Sequence, residues 1–352
     1  MMKESLRIQE LSNAFGPSGL EDDVLKIVQK EVKEIQLERD SFNNLSGVLN
    51  PKNHGPKIMF DAHMDEVGLI VQAVKPNGTM TFLPLGGQAA SNFVSASYKL
   101  KNKKGEYVHA VVASKPPHFL SEIERNAAPQ VSNLVLDCGS TSKEETEKEY
   151  ALGIACFGVP DVECKFDEKK GLFYGKAFDD RIGVAAQIEV LNQLSKAKLP
   201  CQIQASFSTQ EEVGERGVYA NYKKLQPDVL ICFEGCPADD TFQEPWLIQA
   251  GLHKGPMLRH FDVTMITNPR FQAFALDLAK KHHIPVQESV RSGGGTNAGR
   301  IHMEGVPSIV IGVPVRYIHS NYSYCALDDY QAAVQLGVTL AKHLTKEVIQ
   351  QF

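Results

Sequence analysis

Apolar positions along the chain repeat with two different periods, and the places where the period changes divide it. Val24, Leu25, Val28, Val32 and Ile35 recur at helical spacing behind Ser18-Gly-Leu-Glu21, which reads as a capping box, so an amphipathic helix is predicted over residues 18–37. Ser46 to Leu49 and Lys57 to Phe60 read as strands joined by a turn at Pro51 to Pro56, and the second runs straight into Asp61-Ala-His63-Met-Asp65. From about residue 69 the apolar runs become short and β-like: Leu69 to Val74, Thr79 to Leu83 and Tyr107 to Ala113, broken at Pro76-Asn77-Gly78 and Lys104-Gly105. This texture ends in a charged stretch, Ser142 to Glu149, and a further β-like segment around Ile154 to Val162.

Beyond Lys176 the long periods return. A helical pattern over Ile182 to Leu194 is followed by a strand at Ile203 to Phe207, a helix from about Glu211 and a strand at Val229 to Phe233. A helix opened by Asn268-Pro269, a strand at Ser308 to Val313 and a last amphipathic helix from about Asp328 to Val348 complete the series. Strands alternating with helices predict an α/β domain, its sheet sandwiched by helices, and the β-rich stretch becomes an insertion that splits it. The expected division is 1–67, 68–166 and 167–352, the middle piece being the insert.

Length and composition narrow the function. The chain has 352 residues, enough for a large core with a second domain attached. With 37 Lys and Arg against 42 Asp and Glu the net charge is -5, and no long basic block occurs, which argues against nucleic acid and anionic membrane surfaces as partners. The amino terminus lacks the apolar core of a signal peptide and no long apolar run follows, so a cytoplasmic protein is expected. Seven scattered cysteines without a CxxC pair fit that compartment as reduced, mostly buried thiols.

The chemistry-bearing residues sit where strands end. Glu211-Glu212 follows the strand Ile203 to Phe207, and the pair reads either as an acidic first helical turn or as two carboxylates with divergent tasks, one holding a metal and one taking a proton. His63 and Asp65 stand two apart where a strand gives out, so they share a face, although HxD alone is a weak pattern. Asp179-Asp180 precedes a helix and reads as a cap or as a ligand, with Arg181 available to neutralise one carboxylate. Glu234 closes the strand Val229 to Phe233, with Gly235 and Pro237 expected to break it and Cys236 a doubtful neighbour, and His319 follows Ser308 to Val313. Each has a structural explanation by itself. In an open α/β sheet, however, loops at the carboxyl ends of strands gather at one crevice, where four carboxylates and two imidazoles would repel unless divalent cations joined them. Mixed nitrogen and oxygen ligands suit zinc, cobalt or manganese better than calcium.

Taken in order, Ala62-His-Met-Asp-Glu-Val-Gly68, Gly175-Lys-Ala-Phe-Asp-Asp-Arg-Ile-Gly183, Gln210-Glu-Glu-Val-Gly-Glu-Arg-Gly217 and Arg316-Tyr-Ile-His-Ser320 resemble the glutamyl aminopeptidase and tetrahedral aminopeptidase family of dinuclear metallopeptidases. Ser114-Lys-Pro-Pro-His118 is similar to that family too, and the resemblance spans nearly the whole chain. It implies a zinc-exopeptidase-like mixed sheet between helices, with a small inserted β-barrel-like dimerisation or lid domain. It implies two divalent metal ions per subunit, zinc or cobalt first and manganese next, with Asp179 shared, His63 and Glu234 completing one site and Glu212 and His319 the other. Glu211 becomes the general base and Asp65 the carboxylate that orients the His63 region. The resemblance also implies peptide substrates and a tetrahedral homododecamer built from dimers. Metal-dependent deacylase or carboxypeptidase chemistry on the same scaffold, or a non-catalytic shell protein, are the alternatives. Two positions depart from the pattern: Glu234 stands where Asp is usual, which is expected to keep metal binding but alter its preference, and Asn297 stands where Asp is common, which is expected to bear on specificity. Arg259, Arg270, Arg291 and Arg316 are candidates for reading an acidic amino-terminal residue.

Overall fold

The register of four parallel strands decides where the site can be. In the computed structural model, which describes residues 2–352, Gln202–Ser208, Lys57–His63, Val229–Pro237 and Ser308–Arg316 lie side by side and parallel at the centre of an eleven-stranded mixed sheet. Ser208 pairs with His63, and Asp61 pairs with Cys232, which brings His63 and Glu234 to one level at the strands' carboxyl ends. These strands are buried on both faces along almost their whole length, because helices cover the sheet on both sides. The helix Phe178–Leu194, buried almost all round, packs on the sheet and beneath Leu327–His343 and Met2–Asn13.

The insert forms a closed six-stranded antiparallel barrel, Gly68–Val74, Met80–Leu85, Val135–Asp137, Tyr107–Ala113, Ser97–Lys101 and Phe157–Pro160. It has its own core of Leu69, Val71, Phe82, Phe93, Tyr98 and Leu136, separate from the core of the large sheet. The expected mixed α/β sheet with an inserted barrel is therefore what the chain forms. Among the described residues no helix is long and apolar enough to cross a membrane. No disulfide joins the cysteines, and only Cys138 is not fully buried.

Several elements differ from the periodic reading, some of them because a tertiary partner takes over. The first predicted helix covers only Asp22–Glu31: Ser18 caps nothing, because its hydroxyl donates to Asp65 Oδ2 at 2.6 Å. The helix placed at Glu211 starts at Arg216, and Glu211 to Gly214 form a tight turn instead. The strand from Val229 does not stop at Glu234 but continues to Pro237, so Gly235 does not break it. Gly235 is needed there for a different reason: a Cβ would stand 2.6 Å from the Phe178 carbonyl oxygen and 2.8 Å from Asp179 Cα. The charged stretch after Ser142 is a helix, Lys143–Lys148, capped by the Ser142 side chain, and the last helix breaks at Leu344 before Lys346–Ile349.

Arg181 does not neutralise its acidic neighbours. It is fully buried, donates to the carbonyls of Leu11, Gly16 and Met64 at 2.8, 3.1 and 2.9 Å, and lies 3.2 Å from Glu66 Oε1. Lys176 Nζ completes this buried triad at 2.7 Å from Glu66 Oε2; burial, only partly offset by Glu66 and reinforced by Arg181, pushes the amine down to about 8. One carboxylate thus holds two cations that pin the amino-terminal segment under the sheet. Glu66→Gln leaves both without a counter-charge and is expected to cost about 3–5 kcal/mol of stability, read from urea unfolding midpoints.

Candidate metal centre and active site

The carboxyl ends of the central strands open into a cavity of about 420 Å³. Asp179, Glu211, Glu212, Glu234 and His319 line it, and His63 stands behind them, almost completely buried. The turn that carries Glu211 and Glu212 follows the strand Gln202–Ser208 and bends through Gln210 and Glu215, both in left-handed backbone conformations. Asp179 comes from the helix's irregular first turn, where it and Asp180 depart from helical angles.

Distances sort these groups into two sets that share one carboxylate. Asp179 Oδ1 lies 3.0 Å from His63 Nε2, and Asp179 Oδ2 lies 3.0 Å from His319 Nε2. Glu234 Oε1 is 3.3 Å from His63 Nε2, whereas Glu212 Oε2 is 3.3 Å from His319 Nε2. Glu211 Oε2 approaches His63 Nε2 to 3.8 Å. The added methylene of Glu234 is therefore accommodated, since its carboxylate still reaches the imidazole. Ligand atoms of His63, Asp180 and Glu234, and of His63, Asp179 and Glu212, also lie within 4.8 Å of one another. Asp180 is nevertheless committed elsewhere: its oxygens accept the backbone N–H of His63 at 3.1 Å and of Gly183 at 3.0 Å.

The two imidazoles and the Glu211–Glu212 backbone are each aimed by a second group. His319 Nδ1 donates to the Gly87 carbonyl at 2.8 Å, which leaves Nε2 free toward Asp179, and Asn92 of the insert donates to the His319 carbonyl at 3.0 Å. Asp65, fully buried, lies 3.3 Å from His63 Nδ1 and accepts the backbone N–H of Glu211 and of Glu212 at 3.0 and 3.2 Å.

Burial pushes the carboxyls of Glu211, Glu212 and Glu234 upward, and repulsion from neighbouring carboxylates adds to it, Glu234 and Glu212 acting on Glu211 and Asp179 on all three. For Asp179 burial acts the same way, but the hydrogen bonds from both imidazoles overcome it and hold this carboxyl low. Burial opposes protonation of His63, yet the surrounding carboxylates raise it. Both oxygens of Glu234 and Oε1 of Glu212 are buried without a hydrogen-bond partner. Acidic groups that are buried and crowded, with unpartnered oxygens and two imidazoles among them, fit divalent cations: a donor set of this composition binds a borderline metal in place of protons.

The structure also relocates residues outside the centre. Asn297 does not line the cavity. It is buried beneath it, donating to Asp61 Oδ2 and Ser208 Oγ, both at 2.8 Å, in a network with Ser206. An amide suits that place, since a carboxylate there would face Asp61. Of the four arginines, Arg259 and Arg291 line the cavity; Arg270 is exposed at a helix start, and Arg316 is paired with Asp240 at 2.6 Å. Cys236, buried under the same wall, accepts from Arg259 Nη2 at 3.1 Å. Glu215, on the cavity wall, drew no attention from the sequence, and neither did Gly87 or Asn92, whose contact with His319 spans more than two hundred residues and leaves no local trace.

The family profile described as M42 glutamyl aminopeptidase matches residues 43–336. The glutamyl aminopeptidase of Lactococcus lactis subsp. cremoris is 30% identical over 353 residues, 98% of each chain, and the lysyl aminopeptidase of Pyrococcus furiosus is 30% identical over 332 residues, 93% of this chain and 92% of its own. Among solved structures, the TET aminopeptidase of Thaumarchaeota archaeon SCGC AB-539-E09, from marine sediment, superposes with a TM-score of 0.95 at 34% identity, covering 99% of both chains. The Pyrococcus horikoshii TET1 peptidase, described as assembling into a tetrahedron or a large octahedral shell, superposes with a TM-score of 0.87 at 26% identity over 97% of this chain and all of its own. The matched stretch carries all four motifs around the cavity, and the shared fold extends over almost the whole length, so the chain is a peptidase and belongs to the M42 glutamyl aminopeptidase family.

Proposed function

We propose that the protein is an aminopeptidase that removes the amino-terminal residue of peptides by attack of water, with Glu211 moving the proton. The observation that carries this reading is the Asp179 carboxylate, whose two oxygens each lie 3.0 Å from a different imidazole. His63 and Glu234 would hold one divalent cation, Glu212 and His319 the other, and Asp179 both. When bound, zinc or cobalt, or else manganese, supplies Lewis acidity and lowers the pKa of water at the site.

The chain's own residues do the rest. Glu211 stands at the cavity wall with its carboxyl raised by burial, so it holds a proton more readily than an exposed glutamate would. It takes the proton of the attacking water and passes it to the leaving amine nitrogen. Asp65 keeps Glu211 in place through its backbone N–H. The acidic lining of the cavity favours a free, cationic amino terminus over a blocked one. That preference separates this reading from a deacylase or carboxypeptidase.

The amino-terminal side chain is read as acidic. Arg259 and Arg291 line the cavity with their Nε groups buried and unpartnered, while Nη1 is held by Asp262 and Asp239 at 2.8 and 2.7 Å and Nη2 by Cys236 Sγ and the Pro237 carbonyl at 3.1 and 3.2 Å, respectively. An unspent guanidinium donor suits a carboxylate. Glu215 on the same wall supports the opposite preference, for a basic residue, and this is what the substrate panel below decides.

Residues 1–67 and 167–352 would form the catalytic domain, with 68–166 as a dimerisation or lid unit. Self-association into a tetrahedral dodecamer is supported by the likeness to the P. horikoshii peptidase, which is described as a dodecamer and as forming a tetrahedron or a large octahedral shell. Seven unbridged cysteines fit a reducing compartment such as the cytoplasm.

Glu211→Gln is expected to retain its metal content by elemental analysis while kcat falls about 10²–10⁴-fold; wild-type turnover in that variant excludes the assignment. Aminoacyl chromogenic substrates should rank Glu and Asp above Leu and Lys, acetylated versions should be inert, and Arg259→Ala should reduce the Glu-to-Leu ratio of kcat/KM by about 10-fold or more. A Lys preference would transfer the role to Glu215. Chelation should abolish activity and lower the thermal midpoint by several degrees, restored by zinc or cobalt, because binding at about a thousand times Kd stabilises by about 4 kcal/mol.

A further inference from the structure

We infer that Ser18 is a positioning residue for Glu211, acting through Asp65. The inference rests on the reading of Glu211 as the proton acceptor. Ser18 is 5% exposed, and its Oγ donates to Asp65 Oδ2 at 2.6 Å. The same carboxylate accepts from Glu211 N on Oδ1 and from Glu212 N on Oδ2, so one planar group fixes two successive peptide units of the catalytic turn. The Ser18 hydroxyl is the shortest of these contacts and approaches from outside the turn, which sets the rotation of the carboxylate about its own axis.

The segment that carries Ser18 is anchored independently of the hydroxyl. Gly16 O accepts from Glu66 N at 3.0 Å and from Arg181 at 3.1 Å, and Pro17 forms a bridge with Glu66. Glu21, fully buried, closes the segment's own turn by accepting from Gly19 N at 2.6 Å and faces both Asp65 and the Gln210 backbone. Loss of the hydroxyl therefore frees the Asp65 carboxylate to rotate while the segment stays in place. The turn closes on itself through Gly214 N and Glu215 N to the Glu211 carbonyl at 2.9 and 2.8 Å, but Asp65 is the acceptor for the N–H groups of Glu211 and Glu212. A displacement of about 0.5 Å at a proton acceptor is enough to matter for rate.

The test compares Ser18→Ala and Ser18→Thr in the full-length, metal-loaded protein. Ser18→Ala should lower kcat about tenfold with KM within about twofold and metal content unchanged, and Ser18→Thr should restore most of the loss. Amide hydrogen exchange across residues 208–216 should rise in Ser18→Ala, a readout that needs no turnover. In an Asp65→Asn background, Ser18→Ala should add less than about twofold, since the path runs through that carboxylate. Unchanged kcat and exchange, or losses that multiply in the double variant, overturn the inference. If Ser18→Ala does not fold, Ser18→Cys, of similar size and with a weak donor, takes its place under the same criteria. Absence of aminopeptidase activity in the unaltered protein would refute the functional reading instead, and the exchange measurement would still decide whether Ser18 holds the turn.

Discussion

Like charges repel most strongly where water is scarce, and this fold holds Asp179, Glu211, Glu212 and Glu234 together at the end of a buried sheet. Nothing local favours that arrangement. It is enforced by backbone hydrogen bonds in the four parallel strands, whose register brings His63 and Glu234 to one level, and by the close approach of the Asp179 loop to Gly235. The core contributes the stability that tolerates the repulsion. A cation held among these groups would convert mutual repulsion into shared attraction.

The surroundings show how a buried charge is managed when no cation is meant to come. Glu66 is matched by Lys176 and Arg181, and Asp61 is solvated by Ser206, Ser208 and Asn297. Every carboxylate oxygen of Glu66 and Asp61 has a donor. Glu234 has none and Glu212 lacks one on Oε1, although they lie within the same few layers of the protein. The contrast in hydrogen bonding, more than the count of acidic residues, distinguishes a site from a structural network.

The sequence was legible where local periodicity and position carry the information. Alternating helices and strands gave the sheet, and residues just beyond apolar runs proved to be those that gather at the cavity: His63, Asp179, Glu211, Glu212, Glu234 and His319. It misled where a distant partner overrides local preference. Ser18 followed by Glu21 has the form of a cap, but Asp65, forty-seven residues away, takes the hydroxyl. Glu211 has the composition of a helix start, yet the backbone N–H groups that would begin a helix are taken by the same Asp65. Arg181 sits beside two aspartates and serves a glutamate more than a hundred residues earlier. Barrel closure was hidden for a similar reason, since Ser97–Lys101 and Val135–Asp137 are too short to stand out and gain meaning from their neighbours.

The contact between the insert and His319 reaches beyond orientation of one ring. The barrel has a core of its own and could be regarded as a module, exchangeable among relatives so long as its ends meet the sheet. Gly87 and Asn92 deny it that independence, because the carbonyl of one and the amide of the other hold the imidazole and its backbone. A transplanted barrel that folds faultlessly but lacks those two groups would yield a well-formed protein with half a centre. A barrel transplanted from a relative must therefore present to His319 the carbonyl and the amide that Gly87 and Asn92 supply here.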